Sequence, residues 1–137
     1  MKKILTLLTI AGLLDAAYLT YHHYVGNTLA CVAVNGCQFV TTSEYAVIYG
    51  IPLALIGLFY YISLLIGELI YFKTGINFFL YLCLTLCGTG TLVYLYLIHV
   101  QAGILHAFCF WCLISAGITF TITGILIYVV ISKRLTT

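Results

Sequence analysis

Apolar residues run almost unbroken through four stretches of this chain, residues 4–24, 50–72, 76–100 and 108–131. Each is about 20 or more residues long, enough for a helix to cross a hydrocarbon core about 30 Å thick. Between them lie one long connection, residues 25–49, and two short ones, around Lys73 and over residues 101–107. The pattern predicts an all-α integral membrane protein: a single membrane domain over residues 1–137, built as a four-transmembrane-helix bundle. Composition agrees, because 64% of the residues are hydrophobic and 6% charged. No soluble domain of 137 residues hides that much apolar surface, so lipid is the solvent for most of it.

Charge sets the expected orientation. Lys2, Lys3, Lys73, Lys133 and Arg134 are the only Lys and Arg residues, and none falls in residues 25–49 or 101–107. The positive-inside rule then places both termini and the short second connection in the cytoplasm, and the other two connections outside. A net charge of +2, thinly scattered, gives no footprint for nucleic acid. The first run opens like a signal peptide with Lys2-Lys3, but it continues through Ala16-Ala17-Tyr18-Leu19 without a good small-residue cleavage site, so it reads as a span.

Polar residues inside the runs are few enough to weigh singly. Asp15 lies about 13 Å inside the outer end of its span. An ionisable residue there is a functional candidate by default, set against a protonated or hydroxyl-bonded Asp that fixes helix packing. Tyr18, Tyr21, His22, His23 and Tyr24 form an aromatic belt at the outer boundary. Glu68, near the inner boundary, is expected to snorkel. Cys83 and Cys87, four residues apart, are read as small packing residues rather than a thiol pair, because Cys87 lies about 18 Å below the outer end of its span.

The long connection carries Cys31 and Cys37, and Asn35-Gly36 between them is a turn signal that brings the two thiols together. Thr41-x-x-Glu44 reads as a capping box. It predicts a short surface helix in this first outer loop, with Val40, Tyr45, Val47, Ile48 and Tyr49 lying on the membrane. Gly50 ends it, and Pro52 falls in the first turn of the second span, where a missing N–H costs nothing. The fourth run opens with Cys109-Phe110-Trp111-Cys112, two thiols one helical turn apart at a helix N-terminus, where unpaired backbone N–H groups favour the thiolate.

Four readings compete for Cys31, Cys37, Cys109 and Cys112. Static disulfides explain the first pair and not the second, since a bridge across three residues of helix braces almost nothing. A four-cysteine zinc site fits the count but has little polar surrounding at a lipid boundary. A haem held by His22, His23, His99 and His106 suffers from all four lying near one face. The fourth is a thiol–disulfide relay on the oxidising side of the membrane, one pair facing a protein and the other a lipid-soluble electron carrier.

The ordered set Cys31-x5-Cys37, Ser43, Gly50-Ile51-Pro52-Leu53-Ala54 and Cys109-x-x-Cys112 resembles the vitamin K epoxide reductase family over nearly the whole chain. The resemblance implies four catalytic cysteines: Cys31 and Cys37 as the loop pair, Cys109 and Cys112 as the membrane pair. It implies a membrane thiol:quinone oxidoreductase that generates disulfide bonds, with a quinone of menaquinone, ubiquinone or vitamin K type as acceptor and no metal. Ser43, Tyr45, Tyr49 and Cys112 are the expected quinone contacts. The partner is a thioredoxin-fold thiol protein on the outer side, expected to be separate because this chain stops at Thr137. The plasma membrane of a prokaryote is the expected location. A quinone or vitamin K epoxide reductase running on thiol electrons is the first alternative, and a non-catalytic four-span protein with structural disulfides the second. Vertebrate members carry a tyrosine where this chain has Ala116, which counts against epoxide reduction.

Overall fold

The computed structural model describes residues 2–25, 47–106 and 110–136. Four long helices dominate: α1 (Lys2–Val25), α2 (Leu53–Thr74), α3 (Asn77–His99) and α4 (Phe110–Thr136). All four are long and apolar enough to cross a membrane. In lipid the backbone must satisfy its own hydrogen bonds, and a continuous helix does so within each segment. The helices pack as a ring, α1 on α2, α2 on α3, α3 on α4 and α4 back on α1. Large apolar side chains such as Leu7, Phe59, Leu92 and Tyr128 point outward, the side lipid occupies.

Neighbouring helices run antiparallel, so the five cations gather at one end. There the Lys2 ammonium sits 5.7 Å from the Phe72 ring centre, and Lys133 sits 4.9 Å from that of Tyr71. Lys133 also donates a 3.0 Å hydrogen bond to Asn77 Oδ1. The α2–α3 connection at this basic end is two residues long. Gly75 adopts φ 69°, the left-handed conformation that glycine takes without a Cβ penalty, and its N–H closes a 2.8 Å bond to the Tyr71 carbonyl.

Three expectations about local structure need correction. Residues 41–46 of the expected surface helix lie outside the described residues, but its last positions are not helical. Val47–Ile48 (β1) pairs antiparallel with Ile51–Pro52 (β2), Val47 opposite Pro52. Tyr49 and Gly50 turn the chain with φ 51° and 79°, the two positive values of a tight hairpin turn that a helix cannot use. Pro52 precedes α2 rather than entering it, held at φ −60°, ψ 137°. At the other side, the third connection is shorter than residues 101–107. The helix continues from α3 into a π-helical turn, Val100–Leu105, and reverses at His106 with φ 51°.

Small residues set how closely the helices approach. A Cβ on Gly12 of α1 would collide with the Tyr61 ring of α2. One on Gly67 of α2 would come within 2.8 Å of Cys83 Sγ on α3, and one on Gly90 of α3 within 2.6 Å of the Tyr60 hydroxyl. Membrane helices have little hydrophobic drive to associate with one another, so close packing of this kind carries much of the attraction. Cys83 and Cys87, 1% and 0% exposed, belong to the core with Tyr61, Leu64, Leu80, Ile122 and Leu126. A methyl group at Gly12 must push Tyr61 aside. Gly12→Ala is therefore expected to cost about 1–3 kcal/mol, as overpacking does, read as a lowered midpoint of unfolding in detergent.

Candidate functional site

Of the residues singled out for chemistry, Cys31, Cys37, Ser43, Tyr45 and Cys109 lie outside the described residues, and Tyr49 and Cys112 within them. Tyr49 stands fully exposed at the hairpin turn. Cys112 sits in the first turn of α4, half-buried, at the end of the bundle opposite the cations. Its neighbour Trp111 packs on Tyr18 of α1 with ring centres 4.9 Å apart, and Tyr18 in turn packs on His22 at 4.3 Å. The belt residues of α1 thus split in role. Tyr21 and Tyr24 are exposed, while Tyr18 holds the start of α4 against α1.

One turn below Cys112, on the same helix, begins a cluster of hydroxyl groups. Ser115 Oγ lies 2.7 Å from the Tyr94 hydroxyl of α3 and 3.0 Å from the Tyr61 hydroxyl of α2. The Tyr61 hydroxyl is also 3.1 Å from the Ser115 carbonyl and 2.8 Å from Thr119 Oγ1. A phenol has one proton to donate and two lone pairs, so Tyr61 donates along one of these contacts and accepts along others. Ser115 follows Cys112 by one helical turn, which brings the cluster to the level of the thiol.

Asp15 brings the fourth helix to the same place. It is 7% exposed, one turn beyond the Gly12 on which Tyr61 packs, and Ser115 is the hydroxyl that faces it. Neither carboxyl oxygen has a partner at hydrogen-bonding distance. The sequence reading passed over Tyr61, Tyr94, Ser115 and Thr119. A trace of the cluster was visible in it, since Ser115 and Thr119 follow Cys112 at the i+3 and i+7 positions of one helix face.

A second buried polar group sits nearer the basic end. Glu68 is 2% exposed, and its Oε1 accepts a 2.9 Å bond from Thr9 Oγ1 of α1. It does not snorkel to the boundary: the hydroxyl of a neighbouring helix turns it inward. The thiol of Cys83 is aimed at the Leu64 carbonyl, 3.9 Å away. A surface depression lined by Asn77, Tyr81, Lys133 and Arg134 lies at this basic end, remote from Cys112. Among the described residues, no three His, Cys, Asp or Glu side chains converge as metal ligands.

The chain matches the model of the vitamin K epoxide reductase family over residues 3–127, and it belongs to that family. It is also similar to the thiol-disulfide oxidoreductase LTO1 of Arabidopsis thaliana, with 32% identity over 120 residues. The match takes in 80% of this chain and 31% of the plant protein, so the chain spans about a third of that relative's length. Family membership and four membrane-crossing helices together make it an integral membrane protein.

The hydroxyl cluster gives a test of its own. Tyr61→Phe removes its bridging hydroxyl without changing the packing on Gly12. The expected loss is about 1 kcal/mol of unfolding free energy in mixed detergent, in the range of buried hydrogen bonds between membrane helices.

Proposed function

We propose that this protein is a membrane thiol:quinone oxidoreductase that generates disulfides, passing electrons from a thioredoxin-fold dithiol through Cys31 and Cys37 to Cys109 and Cys112 and on to a quinone. The observation that carries the proposal is the setting of Cys112. Cys112, which the resemblance matches to the family's membrane pair, lies in the first turn of α4, next to the Trp111 that packs on Tyr18 and one turn from the Ser115 that meets Tyr94. The name of the plant relative, a thiol-disulfide oxidoreductase, supports thiol chemistry at this site.

The described residues suit a quinone. Tyr18 and Trp111 offer aromatic faces for a flat ring, Tyr94 and Ser115 offer hydroxyl donors for its oxygens, and Cys112 offers the sulfur. Ser43, Tyr45 and Tyr49 would complete the contacts from the outer loop. When bound, a quinone supplies a two-electron acceptor that dissolves in the bilayer. The chain's own part is to position the thiols and keep water from them. Cys31, in the loop, exchanges with the partner. Cys37 then passes the disulfide on to Cys109, through mixed disulfides of the kind all thiol exchange uses. Cys112 is the resolving thiol and faces the acceptor.

Orientation follows from charge: the basic end is cytoplasmic, and the thiols and the partner are outside. A membrane-impermeant thiol reagent is expected to label reduced Cys31 from outside intact cells. Labelling only in inverted vesicles reverses the orientation and the compartment served.

The order of the relay is tested by removing its thiols. Cys112→Ser is expected to stop quinone reduction and to accumulate a Cys37–Cys109 disulfide, seen by mass mapping without reductant. Cys31→Ser is expected to lose exchange with the partner dithiol and keep reaction with quinone. Cys83→Ala and Cys87→Ala are expected to retain turnover, because both thiols are buried in the helix core. A Cys31–Cys109 bridge in the Cys112 variant refutes the order, and anaerobic quinone titration that leaves the cysteines reduced refutes the activity.

A further inference from the structure

A carboxyl group buried in a membrane bundle without a hydrogen bond is expensive, and an ionised one much more so. Asp15 is in that position, with both oxygens unpartnered and 7% of its surface exposed. Glu68, the other buried acid, takes a bond from Thr9 on Oε1 and leaves Oε2 unpartnered, so it is half satisfied where Asp15 is not satisfied at all. Asp15 is left open beside Ser115, and Ser115 is tied to Tyr94 by a 2.7 Å bond. Ser115 also follows Cys112 by one helical turn on α4. The carboxyl of α1, the hydroxyls of α4 and α3 and the sulfur of α4 are therefore gathered at one level of the bundle.

From this juxtaposition we infer that Asp15 is a proton-positioning residue for the thiol chemistry: its carboxyl exchanges a proton with the Cys112 sulfur through the hydroxyls of Ser115 and Tyr94. The inference rests on the reading of Cys109 and Cys112 as a redox pair. Reduction of their disulfide by a partner dithiol breaks one S–S bond in the protein and forms one in the partner. Two electrons and two protons pass from the dithiol to the two sulfurs. The proton that reaches Cys112 comes from Asp15, which is refilled with one the partner releases. On reoxidation the carboxyl gives its proton toward the acceptor and takes the Cys112 proton in its place, so the two electrons leave with two protons, one through Asp15 and one from Cys109. Charge on the sulfur is thus matched by a proton a few side chains away, inside a medium that tolerates neither a bare thiolate nor a bare carboxylate.

Other titratable groups on the surrounding elements are Tyr18 and His22 on α1, Tyr61 on α2, Tyr94 on α3 and Cys112 on α4. Glu68 is held by Thr9, six residues or about 9 Å of helical rise from Asp15. Asp15 is thus the one acid in the described part of this cluster.

The test uses the full chain carrying Cys109→Ser, in lipid nanodiscs, and follows alkylation of Cys112 by iodoacetamide across pH with residue-level mass readout. Two groups that share a proton titrate in two linked steps. The expected profile has two steps with Asp15, one step with Asp15→Asn, and two again with Asp15→Glu. Ser115→Ala, which leaves the acid in place and cuts the path, is expected to give one step. A second readout is the infrared difference between reduced and oxidised protein with all native cysteines. A carboxylic-acid carbonyl band is expected to change there and to vanish in Asp15→Asn. Superimposable profiles for Asp15 and Asp15→Asn overturn the inference, as does an unchanged infrared band. A two-step profile in Ser115→Ala overturns the path. If Asp15→Asn loses its helical circular dichroism, the Ser115 variant and the band in the native protein decide the matter. Failure of the redox reading looks different: no Cys109–Cys112 disulfide then forms in the native protein with any oxidant.

Discussion

The Tyr61 hydroxyl is the point on which the bundle turns. Its ring lies on Gly12 of α1, its oxygen reaches Ser115 and Thr119 of α4, and Ser115 continues to Tyr94 of α3. In lipid a polar group brought between helices has no water to fall back on, so it must find a partner on a neighbour. That requirement fixes rotation and depth for three helices at once. Two seams carry further ties of the same kind, Thr9 to Glu68 between α1 and α2 and Thr91 to Thr123 between α3 and α4. Cysteine, glycine and threonine do the close packing, and the large side chains are left to face lipid.

The bundle has two polar levels, and they differ in kind. Toward the basic end, Glu68 takes a hydroxyl from Thr9, and Cys83 and Cys87 fill the core beside it. This level ties α1 to α2, with one Glu68 oxygen left unpartnered. Toward the thiol end, Asp15 is left without a donor, Cys112 is half-buried, and an aromatic pair frames the helix start. Both levels carry an uncompensated cost, one oxygen at Glu68 and both at Asp15, and the larger one lies toward the thiol.

The four spans were readable because lipid imposes a simple rule on length and hydropathy, and the cations marked which ends lie together. The turn at Gly75 and the start of α4 near Cys112 follow from residues with strong local preferences. What went unread were contacts across helices. In a run apolar on all sides, Tyr61 looks like any aromatic residue, and only the glycine that faces it from α1, 49 positions earlier, reveals its task. Glu68 was misjudged for the same reason, since a boundary position suggests an outward reach and only the neighbouring Thr9 turns it in. The hairpin at residues 47–52 defeated a helix reading because the capping signal at Thr41 says where a helix begins and nothing about where it stops.

The ring of helices is closed by its ends. Seams between α1 and α2 and between α2 and α3 join nearby parts of the chain, the latter through a link of two residues. The seam that sets Tyr18 against Trp111 and Asp15 beside Ser115 joins residues about a hundred positions apart. During synthesis, then, three helices stand together before the environment of Cys112 exists. The thiol acquires its neighbours only when α4 leaves the ribosome and docks on α1. A chain cut short ahead of α4 lacks Cys112 and leaves the Tyr61 hydroxyl without the Ser115 and Thr119 groups it bonds.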